Sequence, residues 1–253
     1  MIRSVVLQII NNPVLFFGCF FLFRAGLWIP IERLWRARSI SYRRVATRDF
    51  AAQLFHVFLV VPVVVYLFSR LFVHSAFSKE LAAFPMLARI GIYLLISDLG
   101  YYWAHRLMHT KRLWRTHQWH HSPNYMYWLA GCRATIPHQL LVTAPYVLAA
   151  PILYPAPWWV FTALGILSYL LVDWMHLNVR WGGTGLEWVF VTPRYHHVHH
   201  SSNPRHYNFN LGNMFTFWDR LFGTYVDPET LNRKEISFGI DDSPGPVRLI
   251  AGV

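Results

Sequence analysis

The sequence predicts an all-α, multi-pass membrane protein with about four to five spans or half-spans. Three observations predict this fold: 55% of the 253 residues are hydrophobic, the mean hydropathy is +0.28, and only 14% of the residues are charged. Ordinary soluble domains carry about 25% charged residues. We expect one membrane-embedded domain over 1–253, with N-terminal spans in 1–80, a histidine-rich catalytic region in 81–225 and a tail in 226–253.

Four apolar stretches account for the predicted spans. Those near 5–23, 50–73 and 86–104 are each long enough to cross a bilayer, since one crossing takes about 20 helical residues. The apolar region 139–173 is too long for one crossing and contains three prolines near its middle. Because proline interrupts a helix, we expect a helical hairpin there, either fully crossing or re-entrant.

Charge placement predicts the orientation and a partner class. Residues 33–48 contain six arginines, and 105–138 and 176–253 carry most of the remaining basic residues, whereas the loop 74–80 has only Lys79. The positive-inside tendency therefore puts the arginine-rich segments and the histidine clusters on the cytoplasmic face. A net charge of +11 would suit nucleic acid, but the basic residues lie between long apolar runs. We expect a bilayer and a lipid substrate, and no nucleic acid.

The cysteines and the N-terminus exclude further classes. Only Cys19 and Cys132 occur, with no CxxC pair, so neither a disulfide framework nor a thiolate-rich metal site is expected. The N-terminal apolar stretch follows a single Arg3 and lacks a small-residue cleavage pattern. We expect it to be a retained first span.

The histidines are concentrated in short clusters on the predicted cytoplasmic side. They occur in YYWAHRLMH (101–109), THQWHH (116–121), DWMHLN (173–178) and HHVHH (196–200). Spacings of three and four residues put imidazoles on one helical face, where they can converge on metal. The nine candidate metal ligands are His105, His109, His117, His120, His121, His176, His196, His199 and His200. Nine neutral nitrogens exceed one tetrahedral zinc site and suit two metals, and imidazole binds iron as well as zinc or copper.

The other histidines receive different predictions. His138, at the start of the apolar region 139–173, is a possible tenth ligand. His197 would point away from the faces shared by its neighbours on a helix. His56 and His74 are expected to be structural. His206 is expected at the surface, with a role beside the site as the alternative.

Two carboxylates near the clusters are candidate partners for the ligands. Asp98 lies seven residues before His105, and Asp173 three before His176. A ligating imidazole usually donates its second N–H to a carboxylate or a carbonyl, and carboxylates near membrane depth usually have a purpose. The alternative is an ion pair with Arg89 or Arg194.

The segments HRLMH, HQWHH and HHVHH, with HLNVR, TPRYHHVHHS and WDRLFGTY beside them, resemble the three histidine boxes of the fatty acid hydroxylase / sterol desaturase superfamily. The likeness runs from about Asp98 to Tyr225. It implies a cytosolic histidine-rich cap over membrane helices and two iron ions as cofactor, with zinc in isolated protein as an alternative. It also implies O₂ as co-substrate, and electrons from a reductase through a cytochrome b5-like or ferredoxin-like carrier. Relatives often place a His-Pro pair two residues after the arginine that corresponds to Arg133; here Pro137 and His138 come later and in reversed order.

The resemblance implies hydroxylation of an unactivated C–H bond of a lipid, with desaturation at the same di-iron site as the alternative. A non-oxygenase reading, metal binding or transport, would place its ligands within the membrane, usually with carboxylates. A haem cytochrome would need isolated axial histidines on facing spans. Both rivals fit the clusters poorly, because the candidate ligands lie at the ends of apolar segments.

Overall fold

A computed structural model of the chain describes residues 12–69, 80–230, 236–240 and 245–252. Among these residues the secondary structure is helical, with isolated β-bridges and no named strand. The helices are α1 (Pro13–Leu34), α2 (Tyr42–Phe55), α3 (Val61–Ser69), α4 (Met86–Met108), α5 (Trp114–His121), α6 (Ile136–Ala149), α7 (Trp158–His176), α8 (Pro193–His199), α9 (Phe217–Leu221) and α10 (Pro246–Ala251). The all-α prediction is confirmed, and His74 lies outside the described residues.

Four helical segments are long and apolar enough to cross a membrane: Val14–Leu34, Tyr42–Ser69, Ile136–Leu153 and Trp158–His176. The second combines α2 and α3 through a π-helical turn at His56–Val60. The predicted break within 139–173 is confirmed, because α6 passes into a 3-10 turn at Ala150–Leu153 and α7 begins after Pro157. These segments agree with the predicted number of spans.

The first span differs from the predicted stretch 5–23, of which residues 5–11 lie outside the described residues. The helix α1 starts after Asn12, whose Oδ1 accepts the backbone N–H groups of the first turn, and it continues to Leu34. Of its three charged residues, Arg24 and Glu32 are buried and Arg33, in the last turn, is exposed. The charges of Arg24 and Glu32 do not end the helix because each has buried hydrogen-bond partners elsewhere in the chain.

The helix α4 covers the predicted third span, 86–104, but it is not among the four segments that meet the length and hydropathy requirement. It contains Arg89 and Asp98 together with several tyrosines. It packs closely on α6 at Gly100, where a Cβ atom would lie 2.7 Å from Cβ of Pro145. Glycine at this crossing lets the two helices approach closely, which places the end of α4, with His105, beside the first turn of α6, with His138.

The main core lies where α1, α2, α5 and the segments after α5 and α7 meet. It contains Trp28, Trp119, Tyr127, Trp128 and Leu177, all buried. Large aromatic side chains contribute much of the burial energy in such a cluster. The core therefore fixes the end of α7 and the start of the loop after α5 beside one another, at the ends of the spans.

Candidate metal centre

Five histidines form a first group at the ends of α4, α5 and α8. Each offers one ring nitrogen, and these nitrogens all lie within 4.8 Å of one another in His105, His109, His117, His121 and His199. The Nε2 atom of His117 lies 3.0 Å from that of His105 and 3.2 Å from that of His121. Such convergence of imidazole nitrogens is the geometry that a metal ion requires.

Four histidines form a second group with the same 4.8 Å limit: His120, His176, His196 and His200. Within it the Nε2 atoms of His176 and His196 are 3.3 Å apart. The two groups are neighbours, because the stacked rings of His121 and His200, one from each group, have centroids 4.3 Å apart. The nine histidines singled out from the sequence are therefore the nine that the fold brings together.

The helices α5 and α8 share their histidines between the groups in a reciprocal way. On α5, His117 and His121 face the first group and His120 faces the second. At the end of α8, His196 and His200 face the second group and His199 faces the first. A helix turns about 100° per residue, so adjacent histidines point in different directions while residues four apart share a face.

Local sequence signals start α8 at the position that this sharing requires. The Oγ1 of Thr192 accepts the backbone N–H of Tyr195, and Pro193 occupies the first helical position. Both features favour a helix start because the first turn has unpaired N–H groups and proline needs none. The cap therefore sets the direction in which His196, His199 and His200 point.

Backbone carbonyls hold three of the rings by their Nδ1 atoms. His105 donates to the carbonyl of Leu211 at 2.8 Å, His199 to that of Phe209 at 3.0 Å, and His176 to that of Val172 at 2.7 Å. Donation from Nδ1–H leaves the lone pair on Nε2, which is the metal-binding form of neutral imidazole. The carbonyls thus fix the tautomer as well as the orientation.

The residues fit a metal ion by two further observations. The Nε2 atoms of His109, His199 and His200 are buried and have no hydrogen-bond partner. Burial lowers the pKa of His105 to about 4, so that its ring is neutral at pH 7. Burial and, after it, neighbouring charges also lower the pKa well below its ordinary value in His109, His117, His120, His121, His196, His199 and His200. Buried, neutral imidazoles with unpaired nitrogens suit metal binding.

Asp219 is a buried residue that sequence reasoning missed. Its carboxylate accepts the backbone N–H groups of Leu211 and Gly212, each at 2.8 Å, and the hydroxyl groups of Tyr195 and Thr224, each at 2.7 Å. It therefore holds the segment whose carbonyl binds His105. The signal for Asp219 in the sequence is its place in WDRLFGTY, a segment that resembles the family without indicating a role for the aspartate.

Neither predicted carboxylate hydrogen-bonds to a histidine of the groups. Asp98 accepts the backbone N–H groups of Met214 and Phe215 and the indole N–H of Trp218. Like Asp219, it holds the segment after α8 in place. Three N–H donors of that segment use its oxygens, so Asp98 binds there and not to a histidine.

Asp173 instead forms a buried ion pair with Arg24, at 2.6 and 2.5 Å, and accepts the indole N–H of Trp28 at 2.8 Å. The alternatives with Arg89 and Arg194 are also wrong. Arg89 donates to backbone carbonyls and Arg194 pairs with Glu187. A buried guanidinium in α1 offers the carboxylate charge compensation that one imidazole N–H does not.

Four further histidines that the structure describes lie outside both groups. The Nδ1 of His138 is 3.2 Å from the Nδ1 of His117, so His138 sits beside the first group without joining it. His197 contacts Arg38, and His56 binds the side-chain amide of Gln139. His206 is buried, not at the surface as expected, because a 3-10 turn after Asn203 directs it inward.

Comparisons with known proteins agree with this site. The fatty acid hydroxylase family model matches residues 90–224. An alkylglycerol monooxygenase of Danio rerio is 33% identical over 134 residues, which cover 53% of this chain and 29% of that protein. The ornithine lipid hydroxylase OlsE of Rhizobium tropici is 32% identical over 161 residues, 61% of this chain and 46% of that protein. A human lathosterol oxidase is 24% identical over 167 residues, 64% of this chain and 54% of that protein.

The chain spans less than half the length of the first two of these relatives. No solved structure matches the chain. The family match covers just over half of the sequence, and all nine clustered histidines lie within it. On this match, the chain belongs to the fatty acid hydroxylase family.

Proposed function

We propose that the chain is a membrane-bound oxidoreductase whose nine histidines hold two metal ions, one in each group. The observation that carries this proposal is the convergence of five and of four ring nitrogens within 4.8 Å. Both groups consist of histidine alone, and imidazole is a good ligand for iron. We propose iron as the working metal, with zinc as the ion that isolated protein could carry in its place.

The reaction that this centre suits is hydroxylation of an unactivated C–H bond of a lipid. A substrate R–H, O₂, two electrons and two protons give R–OH and water, so that one oxygen atom enters the lipid and the other leaves as water. The two iron ions would supply the oxygen and redox chemistry. The protein's own contribution is to hold the metals, bind the lipid and exclude water.

Burial is the means by which the chain excludes water from the site. Eight of the nine histidines are buried and His109 is partly exposed. Backbone carbonyls fix the orientations of three rings. Two of these carbonyls, those of Phe209 and Leu211, lie in the segment that Asp219 holds by hydrogen bonds. The rings therefore need little rearrangement when metal binds, which favours a single geometry at the reacting carbon.

The position of the groups supports a lipid substrate. His176 ends α7 and His138 lies in the first turn of α6, both of which are candidate spans, so the site lies at the ends of membrane helices. A cavity of about 410 Å³ lies between α1 and α2 and is lined by Phe21, Ile29 and Phe50 among other side chains. It gives apolar chains a surface between two candidate spans. The arginine-rich loops favour the cytoplasmic face for the histidines.

Desaturation at the same site is the second candidate. We keep it because one relative is named an oxidase and not a hydroxylase, lathosterol oxidase, whereas alkylglycerol monooxygenase and ornithine lipid hydroxylase are named for hydroxylation or monooxygenation. Both outcomes begin with removal of hydrogen from carbon. We propose hydroxylation first, because the more similar of these relatives are named for it.

Elemental analysis of purified protein tests the proposal. We expect about two metal ions per chain, and loss of most of both in the variant His199→Ala/His200→Ala, which removes one nitrogen from each group. His206→Asn, buried but outside both groups, is the matched control and should keep both metals. Lipid extracts of cells grown under ¹⁸O₂ should then show one labelled hydroxyl with the wild type and with His206→Asn, and none with His199→Ala/His200→Ala. Metal content at or below one per chain and equal in all three proteins would overturn the dinuclear site.

A further inference from the structure

We propose that residues 109–115, which comprise the connection after α4 and the first two residues of α5 and are called the turn below, are the docking surface for a small, acidic one-electron carrier. This inference rests on the proposed function, which needs two electrons from outside the chain for each substrate. It names where on the molecule they arrive and what kind of partner brings them. Three features of the turn carry it: its charge, the absence of internal partners for that charge, and its contact with the first histidine group.

The turn is strongly basic and exposed. Lys111, Arg112 and Arg115 all have exposed side chains within five consecutive positions. No Asp or Glu occurs anywhere between Asp98 and Asp173, so the segment brings no compensating charge of its own. The helix α10 packs against α5 and adds an exposed Arg248 on the same part of the cap.

The charges of the turn are not used inside the protein. Among the residues that the structure describes, the ion pairs involve Arg24, Arg133 and Arg194, each bound to a buried carboxylate. None of them involves the three cations of the turn. A basic cluster without internal partners produces a local positive potential that attracts and orients an acidic protein.

The turn lies directly against the metal centre. Trp114, in the first turn of α5, has its ring centroid 5.5 Å from that of His109 and 5.3 Å from that of His121. His109 is the one histidine among the nine that is partly exposed. The partly exposed histidine of the first group therefore contacts Trp114, which lies in the chain between Arg112 and Arg115, so a carrier seated on the turn lies near the aromatic side chain that contacts the group.

A second basic run on the chain has a different setting. Arg43, Arg44 and Arg48 are exposed in the first two turns of the candidate span Tyr42–Ser69, where anionic lipid headgroups are the natural partners. The turn 109–115 instead joins α4 to α5, a short helix of the cap, beyond the histidines at the end of α4. Its charges therefore favour a protein over the membrane surface.

Electron delivery at this surface transfers electrons and no atoms. A reduced carrier would give up one electron to the metals that the histidines would hold, and it would leave oxidised. Two such events, with O₂ as the final oxidant and two protons from solvent, supply what one hydroxylation consumes. An acidic carrier that has delivered its electron must leave for the next one, which suits a weak, salt-sensitive charge contact.

The test is a binding measurement on the full chain in nanodiscs of zwitterionic lipid, with a strongly acidic plant-type ferredoxin as the probe. We expect binding that weakens as salt rises. The reversal Lys111→Glu/Arg112→Glu/Arg115→Glu should lower the affinity at least tenfold. The matched reversal Arg43→Glu/Arg44→Glu/Arg48→Glu changes the net charge equally and should lower it less than twofold. Cytochrome c, a basic carrier of similar size, should not bind the wild type.

Equal weakening by both reversals would show a general charge effect and overturn the proposal. So would unchanged ferredoxin binding in the turn variant together with loss of co-purified anionic lipid, which would assign the turn to the membrane surface. Because binding is read without turnover, its outcome is independent of metal content and of lipid oxidation. Failure of the proposed function and failure of this inference are therefore separate results.

Discussion

The carboxylate of Asp219 accepts the backbone N–H of Leu211 at 2.8 Å, and the carbonyl of the same residue accepts the Nδ1–H of His105 at 2.8 Å. A buried carboxylate thus orients an imidazole through the backbone of one residue, Leu211, instead of by direct contact. Asn210, just before, has a positive φ of 55°, and its side-chain amide donates to the carbonyls of Tyr195 and Val226. The segment is therefore fixed on both sides of the carbonyl that His105 uses.

Replacement of Asp219 by alanine should weaken metal binding although Asp219 touches no metal ligand in the groups. It leaves four buried donors without an acceptor, at a cost of about 2–4 kcal/mol in the free energy of unfolding. We expect metal affinity to fall about 10- to 100-fold, as for other groups that orient ligands. Competition with a coloured chelator measures the affinity.

Two further variants separate positioning from general instability. Asp219→Asn keeps the shape and one acceptor oxygen, so it should fall between alanine and wild type. Asp227→Asn changes a nearby carboxylate whose one side-chain hydrogen bond among the described residues is from the backbone N–H of Glu229, and it should behave as wild type. If Asp219→Ala binds metal with wild-type affinity while melting at a lower temperature, Asp219 supports only the fold.

Gly131→Ala should damage the second histidine group selectively. A Cβ atom at this position would lie 2.6 Å from Nδ1 of His176 and 2.9 Å from Cγ1 of Val172, and the ring is buried and cannot retreat. We expect a cost of about 1–3 kcal/mol in stability and loss of one metal per chain. Gly165→Ala, on α7 with open space around it, is the control and should keep both metals. Equal loss from both groups would show that the damage is not local to His176.

The ion pair between Arg24 and Asp173 should be a determinant of stability and not of metal binding. Loss of one partner leaves a buried charge uncompensated, so Arg24→Leu should lower the free energy of unfolding by about 3–5 kcal/mol. The double variant Arg24→Leu/Asp173→Leu should recover much of that loss. Thermal unfolding in detergent measures the cycle. If the double variant loses metal at a temperature where it stays folded, Asp173 contributes to metal binding and the prediction is wrong.

Local features of the site could be predicted from the sequence, because they depend on residues a few positions apart. The spacing of His117 and His121 indicates a shared helical face, and the same rule separates His120 from both. The division into two groups depends on how α5 packs against α8, and no local pattern encodes that packing. The structure supplies the reciprocal arrangement.

The partners of the ring Nδ1 atoms could not be predicted for a different reason. A carboxylate is visible in a sequence, so Asp98 and Asp173 were the natural candidates, whereas any residue supplies a carbonyl. The acceptor for His105 is the backbone of Leu211, which carries no signal in its side chain. Asp173 finds Arg24 across 149 positions of sequence, a contact that only the assembled helices create.

His138 provides the sharpest distinction between a ligand and a supporting residue. Its Nδ1 lies 3.2 Å from the Nδ1 of His117, whose Nε2 faces the first group. If His138 only supports His117, His138→Asn should bind two metals at saturation with affinity lowered about 10- to 100-fold. His117→Ala should lose the first metal outright, because the ligand itself is gone. Titration of metal-free protein with Fe²⁺ under anaerobic conditions gives both stoichiometry and affinity. Loss of a full equivalent in His138→Asn would make it the tenth ligand, and the first group would then have six nitrogens in place of five.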